Sequence, residues 1–298
     1  MAHIYHILAI LTSAIWGTTF ISSKLLLQEG LSPAAIMILR FVLAYVLMLP
    51  FVKGKWFCKN LKDELLMVLL GISGGSLYFL LENTALVYTQ ASNVAIIIAA
   101  TPLLTMLTIN LLDRGKGASK RLYGYSLMSL AGVALVILNG IFVLKLNPIG
   151  DLLTFGAVVT WVIYSIIIAK VQERYSSWMI TRKIFFYGVV TLLRYFLIEP
   201  WDVTWEMMSR PMVWGNIAYL GVLASLGCYM TWNIVIKQLG AVDATNYLYI
   251  NPIVAMITAN LLLGERITPL AIAGTALILV GVYLAERKKK REFKRPTS

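Results

Sequence analysis

Apolar residues fall into long runs along the chain, and short polar segments separate the runs. A helix needs about 20 mostly apolar residues to cross a hydrocarbon core of roughly 30 Å. We therefore predict an all-α integral membrane protein with ten transmembrane helices in two inverted-topology five-helix repeats. The predicted spans are Ile4–Leu27, Pro33–Phe51, Leu65–Tyr88, Ala91–Leu112, Leu122–Val143, Gly150–Val171, Ile184–Glu199, Val213–Ile236, Asp243–Leu263 and Thr268–Ala285.

The repeat prediction comes from matches at a constant spacing of 150 residues. The matched positions are Gly71 with Gly221, Ala91 with Ala241, Pro102 with Pro252, Gly124 with Gly274, and Asn110–Leu112 with Asn260–Leu262. We place the repeats at residues 1–143 and 150–286, followed by a basic tail at 287–298. Because five spans is an odd number, the second copy enters the membrane from the opposite side. Inverted repeats commonly form a binding site between the halves that opens alternately to each side.

Composition excludes an ordinary soluble protein. The chain is 59% hydrophobic and 13% charged, whereas soluble domains are roughly 45–50% apolar and about 25% charged. The net charge of +12 does not indicate nucleic acid, because basic residues concentrate in the tail and after predicted spans two, four and six. The positive-inside rule then places both termini in the cytoplasm. We interpret the tail as an anchor on anionic lipid.

Several stretches in a characteristic order resemble a known family. They are AIWGTTFISSK (14–24), ILRFVLA (38–44), ALVYTQASNVAIIIAATPLLT (85–105) and QLGAVDATNYLYINPIVAMITANLLLGER (238–266). The chain resembles the drug/metabolite transporter superfamily, in its ten-helix bacterial EamA type. The resemblance implies secondary transport, usually export of amino acids or small metabolites, across the bacterial inner membrane. It also implies that spans five and ten lie outside a central cavity.

A lone carboxyl group, Glu82, interrupts the third span within YFLLENTALVYT (78–89). Helical spacing places Gly71, Gly75, Tyr78, Glu82 and Thr89 on one small or polar face, which is typical of contact with protein or water. A charge near the bilayer centre costs about 2.5–3.5 kcal/mol. We interpret Glu82 as a group that exchanges protons or holds a substrate ammonium. A neutral or paired Glu82 that braces the bundle is the alternative.

The predicted substrate site combines aromatic and amide side chains from both halves. Its members besides Glu82 are Trp16, Tyr78, Asn83, Trp161, Tyr164, Tyr229, Trp232, Asn246, Tyr247 and Asn251. Aromatic rings could contact an amphiphilic or cationic solute, partly through cation–π attraction. Core packing and helix–helix hydrogen bonds are the structural alternatives. At the spacing of 150 residues, Glu82 corresponds to Trp232, so the second half has no matching acid.

Two prolines, Pro102 and Pro252, are predicted inside spans four and nine. Each would free a backbone carbonyl four residues earlier, at Ile98 and Leu248, and that carbonyl needs another partner in lipid. Kinks at equivalent places would suit gates that exchange roles, and static kinks are the alternative.

Three further charges carry weaker expectations. Arg40 lies about 10 Å into span two and either extends toward the surface or attracts anionic solutes. Asp243 is expected to cap the ninth helix. We expect Glu265 to lock a loop at the end of that helix.

The sequence contains no arrangement that suggests an enzyme. No Ser/His/Asp order, HExxH motif or glycine-rich phosphate loop is present, and we expect no cofactor or metal. The expected partners are a small-molecule substrate and the lipid bilayer, with no nucleic acid, and the protein is a monomer or a homodimer. An importer with the same architecture and a passive pore remain alternatives, although no acidic ring or carbonyl filter supports a pore.

Overall fold

A computed structural model describes residues 2–52, 56–89, 94, 97–112, 120–138, 147–197, 201, 203–263 and 267–292. Within these ranges the chain is helical and contains no strand, which confirms the all-α prediction. The helices are α1 (Ala2–Gln28), α2 (Pro33–Met48), α3 (Leu61–Tyr88), α4 (Thr101–Leu112), α5 (Lys120–Leu138), α6 (Pro148–Val171), α7 (Ser177–Leu193), α8 (Trp205–Ser209), α9 (Pro211–Leu239), α10 (Ala241–Asn246), α11 (Asn251–Leu263) and α12 (Pro269–Glu292).

Among the described residues, five helical segments are long and apolar enough to cross a membrane. They are His3–Gln28, Pro33–Phe51, Leu61–Tyr88, Pro148–Val171 and Pro211–Leu239. Two shorter apolar helices, Thr101–Leu112 and Pro269–Ala285, accompany them. The ten-span count and the two repeats stay predictions.

Helix α7 begins earlier than the sequence pattern predicts. It starts at Ser177 instead of Ile184, and the side chain of Ser176 accepts a hydrogen bond from the backbone N–H of Met179 as its N-cap. Arg182 and Lys183, predicted to lie in a loop, are therefore buried inside the helix, each 3% exposed. The prediction was wrong because these two charges interrupt the apolar run in the sequence. In the folded protein, tertiary contacts compensate for them.

The ninth predicted span also differs from the structure. Gly240, at φ 88°, occupies the N-cap of α10, and Asp243 lies in the first turn instead of capping it. A carboxylate there still favours the helix because the N-terminal end carries partial positive charge. A short 3₁₀ segment, Tyr247–Ile250, separates α10 from α11. Glu265 and Ala91 lie outside the described residues.

Helices α3 and α9 each contain a π-helical segment. These segments, Ile72–Ser76 and Tyr219–Gly227, fall at corresponding positions in the 150-residue register. A π segment widens the helix and leaves backbone groups open to other partners. Position 74 of α3 has room only for glycine, because an added Cβ would lie 2.3 Å from the Cδ2 atom of Tyr164.

The helices pack as an inner group, which includes α1, α3, α6, α7, α9 and α11, and an outer pair, α5 and α12. Helix α3 packs on α6 and α7, and α1 packs on α9 and α11. Helices α5 and α12 pack mainly on each other, where a Cβ added to Gly132 would lie 2.6 Å from the carbonyl oxygen of Gly274. Small residues permit such close backbone approach in membrane bundles. The candidate site therefore forms within the inner group.

Candidate functional site

A cavity lies among the inner helices. Its lining residues are Trp16, Thr19, Phe20, Arg40, Tyr78, Phe79, Glu82, Ile98, Thr101, Trp161, Tyr229, Leu248 and Asn251. None of these residues belongs to α5 or α12. The mixture of aromatic surface with a few polar groups is typical of small-molecule sites.

Aromatic rings from α1, α6 and α9 form one wall of the cavity. Trp16 meets Trp161 edge-on, with ring centroids 5.4 Å apart and planes at 89°. Tyr229 packs against both rings, at centroid distances of 5.9 Å and 6.2 Å. Edge-to-face contacts of this kind stabilise a fixed arrangement of rings. The two tryptophans from the two predicted halves therefore meet directly.

The π segments position this aromatic wall through their backbone carbonyls. The Nε1–H of Trp16 donates to the carbonyl oxygen of Ala224 at 3.0 Å. The hydroxyl of Tyr229 donates to the carbonyl oxygen of Gly74. Gly74 and Ala224 are separated by 150 residues, so corresponding carbonyls in the two segments hold one aromatic side chain each.

Glu82 reaches the cavity from α3 and is 7% exposed. Its carboxyl group interacts electrostatically with the side chains of Tyr78 and Arg40. No basic nitrogen in the described part of the chain lies within 4.0 Å of this carboxyl group. Glu82 is therefore a buried acid beside a neutral tyrosine, and its counter-charge is more distant.

The polar face predicted around Glu82 contacts protein along its length. Tyr78 and Glu82 line the cavity, whereas Gly71 and Gly75 approach α7 at Tyr187 and Gly188. Gly71 and Gly75 thus contribute to helix packing, and Tyr78 and Glu82 contribute to the cavity.

Arg40 is the charged lining residue that the predicted substrate site omitted. It is 2% exposed, and its Nε–H donates to the hydroxyl of Ser225 at 2.9 Å. Its guanidinium lies over the ring of Phe79, 4.4 Å from the centroid. The available signal was a lone cation in an otherwise apolar helix, but an arginine that extends to the surface gives the same signal.

The structure places each of the two prolines near the start of a regular α-helix. Pro102 is the second residue of α4, and Pro252 is the second residue of α11, where a missing N–H is tolerated. The carbonyl of Ile98 accepts a hydrogen bond from the hydroxyl of Thr101 at 2.5 Å. The carbonyl of Leu248 accepts one from the backbone N–H of Asn251.

The helix breaks before these prolines border the cavity. Ile98 and Thr101 line it from the first half, and Leu248 and Asn251 line it at positions 150 residues later. Pro102 and Pro252 lie within predicted spans four and nine, and the role of these two positions as gates stays a prediction. The carbonyl of Ile98 finds another partner in the Thr101 hydroxyl.

Five residues of the predicted substrate site do not line the cavity: Asn83, Tyr164, Trp232, Asn246 and Tyr247. Trp232 packs on Trp16 with ring centroids 5.0 Å apart, and Tyr164 donates to Asn233 Oδ1 at 2.7 Å. Tyr247 hydrogen bonds His6. Trp232 and Tyr164 therefore pack against rings of the cavity wall.

Two polar atoms on the cavity lining are buried and unpartnered. The Nε1–H of Trp161 and the Oδ1 of Asn251 have no hydrogen-bond partner in the ranges that the structure describes. Unsatisfied buried polar groups are costly, so their presence at a cavity suggests contact with a bound molecule or water. Trp161 and Asn251, both on the cavity lining, therefore each keep one polar atom free for such a molecule.

Comparisons with known proteins identify a family. A model described as the EamA-like transporter family matches residues 3–138 and 148–286. An uncharacterized transporter of Archaeoglobus fulgidus is 28% identical over 95% of this chain and 98% of its own length. An uncharacterized transporter of Clostridium kluyveri is 26% identical over 97% of this chain and 96% of its own.

One relative has a more specific name, and one solved structure shares the fold. A probable terminal-alkyne amino-acid exporter of Streptantibioticus cattleyicolor is 25% identical over 96% of both chains. A crystal structure of a protein with 16% sequence identity superposes with a TM-score of 0.76 over 99% of both chains. That similarity shows the fold alone.

Proposed function

This chain belongs to the EamA-like transporter family, and we propose that it is a secondary active transporter that exports amino acids or other small organic metabolites by alternating access. The family establishes a multi-pass membrane transporter and not an enzyme. The cavity between the two matched segments is the observation that carries the more specific proposal. We place the protein in the bacterial inner membrane with both termini in the cytoplasm.

The proposed binding site is the aromatic cavity. Trp16 and Trp161 contact the apolar part of the solute, and Arg40, Glu82 and Asn251 offer polar groups around it. The cavity lies between corresponding helix breaks, at Ile98–Thr101 and at Leu248–Asn251. A rocking motion of the two halves would change the angle at these breaks, as expected when inverted repeats alternate access.

Glu82 has one of two roles in this proposal. It couples solute movement to protons, or it holds an ammonium group of the solute. The charged and titratable side chains that face it are Arg40, Tyr78 and Tyr229. Proton coupling requires that Glu82→Gln abolish the pH dependence of transport. Ammonium recognition requires that the variant fail to transport amine-containing solutes at every pH.

The first test compares metabolites outside cells that carry empty vector or the wild-type protein. A metabolite enriched only with the wild type would identify the substrate and support export. No difference from vector, together with wild-type-dependent uptake, would replace export by import.

Transport kinetics in proteoliposomes separate a transporter from a pore. We expect the rate of the identified metabolite to saturate with concentration and to increase when unlabelled metabolite is present on the opposite side. A rate that stays linear and shows no counterflow would support the passive pore.

A further inference from the structure

Arg40 is a buried cation with incomplete charge compensation. An arginine stays protonated in proteins, so it cannot avoid the cost of burial by becoming neutral. Its contacts are the Ser225 hydroxyl and the Phe79 ring, and neither carries a full negative charge. No carboxylate among the described residues lies within 4.0 Å of its guanidinium. Such a charge is expensive in a membrane bundle and commonly marks a functional site.

The part of Arg40 that lacks a partner is the part that recognises planar anions. A guanidinium carries five N–H donors in a rigid fork, and the hydrogen bond to Ser225 uses only the one on Nε. The terminal nitrogens have no hydrogen-bond partner in the part of the chain that the structure describes. Because Arg40 lines the cavity, these donors are available to a molecule inside it.

The surroundings of Arg40 hold its fork in one place. Its Nε is tied to the π segment of α9 through Ser225, and Phe79 covers one face of its guanidinium. A fixed arginine loses little conformational freedom on binding, which favours recognition of a carboxylate by two parallel hydrogen bonds.

We propose that Arg40 binds a carboxylate group of the transported solute, and that Glu82 is its counter-charge when the cavity is empty. This inference rests on the transport function proposed above and adds the chemical class of the solute and the residue that selects it. A single carboxylate matches the single positive charge of Arg40. A phosphate dianion would leave excess negative charge beside Glu82, which disfavours it.

The competing explanation is that Arg40 only braces α2 against α9 through Ser225. A brace and a binding residue differ in selectivity. Loss of a brace lowers stability and affects all ligands equally, whereas loss of a carboxylate-binding residue affects ligands with a carboxylate. The test therefore uses two probes that share a phenylethyl group and differ in its substituent, phenylpropionate and phenylethylamine.

Binding of each probe to the purified protein in lipid nanodiscs would be followed by tryptophan emission, because Trp16 and Trp161 line the cavity. We expect Arg40→Gln to weaken phenylpropionate binding by about 30-fold or more, with phenylethylamine unchanged or stronger. Arg40→Lys should recover part of the affinity, because it restores the charge without the fork. Glu82→Gln should strengthen phenylpropionate binding several-fold. Arg194→Gln, at an exposed arginine of the chain, is the matched control.

Three results would overturn the inference. They are equal weakening of both probes by Arg40→Gln, unchanged phenylpropionate binding in that variant, and absence of phenylpropionate binding to the wild type. Ser225→Ala removes the brace but keeps the cation, so it should retain the preference for phenylpropionate. An exported metabolite without a carboxylate would refute this inference and leave the transporter proposal standing. Failure of all transport would instead refute the transporter proposal.

Discussion

Two glutamates of helix α3, Glu64 near its start and Glu82 eighteen residues later, lie in contrasting surroundings. Glu64 Oε1 accepts hydrogen bonds from Lys183 Nζ and from the Tyr187 hydroxyl. Its Oε2 accepts the backbone N–H of Cys58 at 2.7 Å. Glu82 lies beside the neutral Tyr78 and faces an aromatic cavity. One acid is fully compensated by the protein, and the other retains capacity for a ligand.

The difference shows that the partners of an acid in α3 decide whether it contributes to stability or to function. Around Glu64, a neighbouring acid is also saturated, because Asp63 accepts the Tyr175 hydroxyl at 2.7 Å and pairs with Arg174 at 2.5 Å. This cluster, which we call the Glu64 cluster, joins the start of α3 to α7 and the loop before it. At Glu82 and Arg40, the opposite charges line one cavity without direct contact. Separation of that kind keeps both groups available.

The largest predicted effect comes from breaking the Glu64 cluster. Lys183→Met leaves the partly buried Glu64, 14% exposed, without its cation, so we expect a loss of about 3 kcal/mol in the free energy of unfolding. Unfolding by SDS titration would measure it. The double variant Glu64→Gln/Lys183→Met should recover part of the loss, because no unpaired charge remains. A Lys183→Met protein as stable as the wild type would contradict the structural role of the cluster.

The second prediction addresses the π segment that supports the cavity. Gly74→Ala places a methyl group 2.3 Å from the Tyr164 ring, and we expect destabilisation of about 1–3 kcal/mol. The shift should also disturb the Gly74 carbonyl that holds Tyr229, and so reduce transport. Gly215→Ala in α9 is the matched control, because an added Cβ there meets no atom within 4 Å. Equal behaviour of the two variants would show that the close packing at Gly74 has no consequence.

The third prediction concerns stability at Glu82. Glu82→Gln keeps the size of the side chain and removes no close ion pair, so the free energy of unfolding should change by about 1 kcal/mol or less. The same SDS titration measures this change. A loss as large as that of Lys183→Met would identify Glu82 as a brace and remove its contrast with Glu64.

The fourth prediction uses the thiol of Cys58 as a reporter of the Glu64 charge. Burial raises the pKa of Cys58 to about 11, and hydrogen bonding and repulsion from Glu64 add to the increase. Since the thiolate is the reactive form, maleimide labelling should accelerate as pH rises toward that pKa. Glu64→Gln should lower the pKa and speed labelling about threefold to tenfold at mildly alkaline pH.

Peptide mass spectrometry would separate the labelling of Cys58 from that of Cys228. Slower labelling of Cys58 in Glu64→Gln would mean that Glu64 does not disfavour the thiolate.

Sequence patterns predicted the features that depend on local periodicity. Glu82 and Tyr78 were placed on one polar face of α3, and they line one cavity. Trp16 and Trp161 were both placed in the predicted substrate site, and their rings are in contact. Helical spacing suffices for the first prediction because neighbours on one face of a helix share an environment.

Features that depend on contacts between distant helices could not be predicted. The α7 boundary was misplaced because Lys183 interrupts an apolar run, and only the fold shows its partner, 119 residues earlier. Arg40 could not be assigned to the cavity without knowing that Ser225 lies opposite. The π segments change the register of α3 and α9, and regular 3.6-residue periodicity does not reveal them.

The most direct test of the contrast is the export rate per folded molecule of the metabolite identified above, in Glu82→Gln and Glu64→Gln. Rates would be normalised to the amount of folded protein in the membrane. We expect Glu82→Gln to reach normal abundance and to lose about tenfold or more in rate. Glu64→Gln should lose abundance and retain a rate close to the wild type. A Glu82→Gln protein with the wild-type rate would contradict the assignment of the cavity carboxyl group to transport.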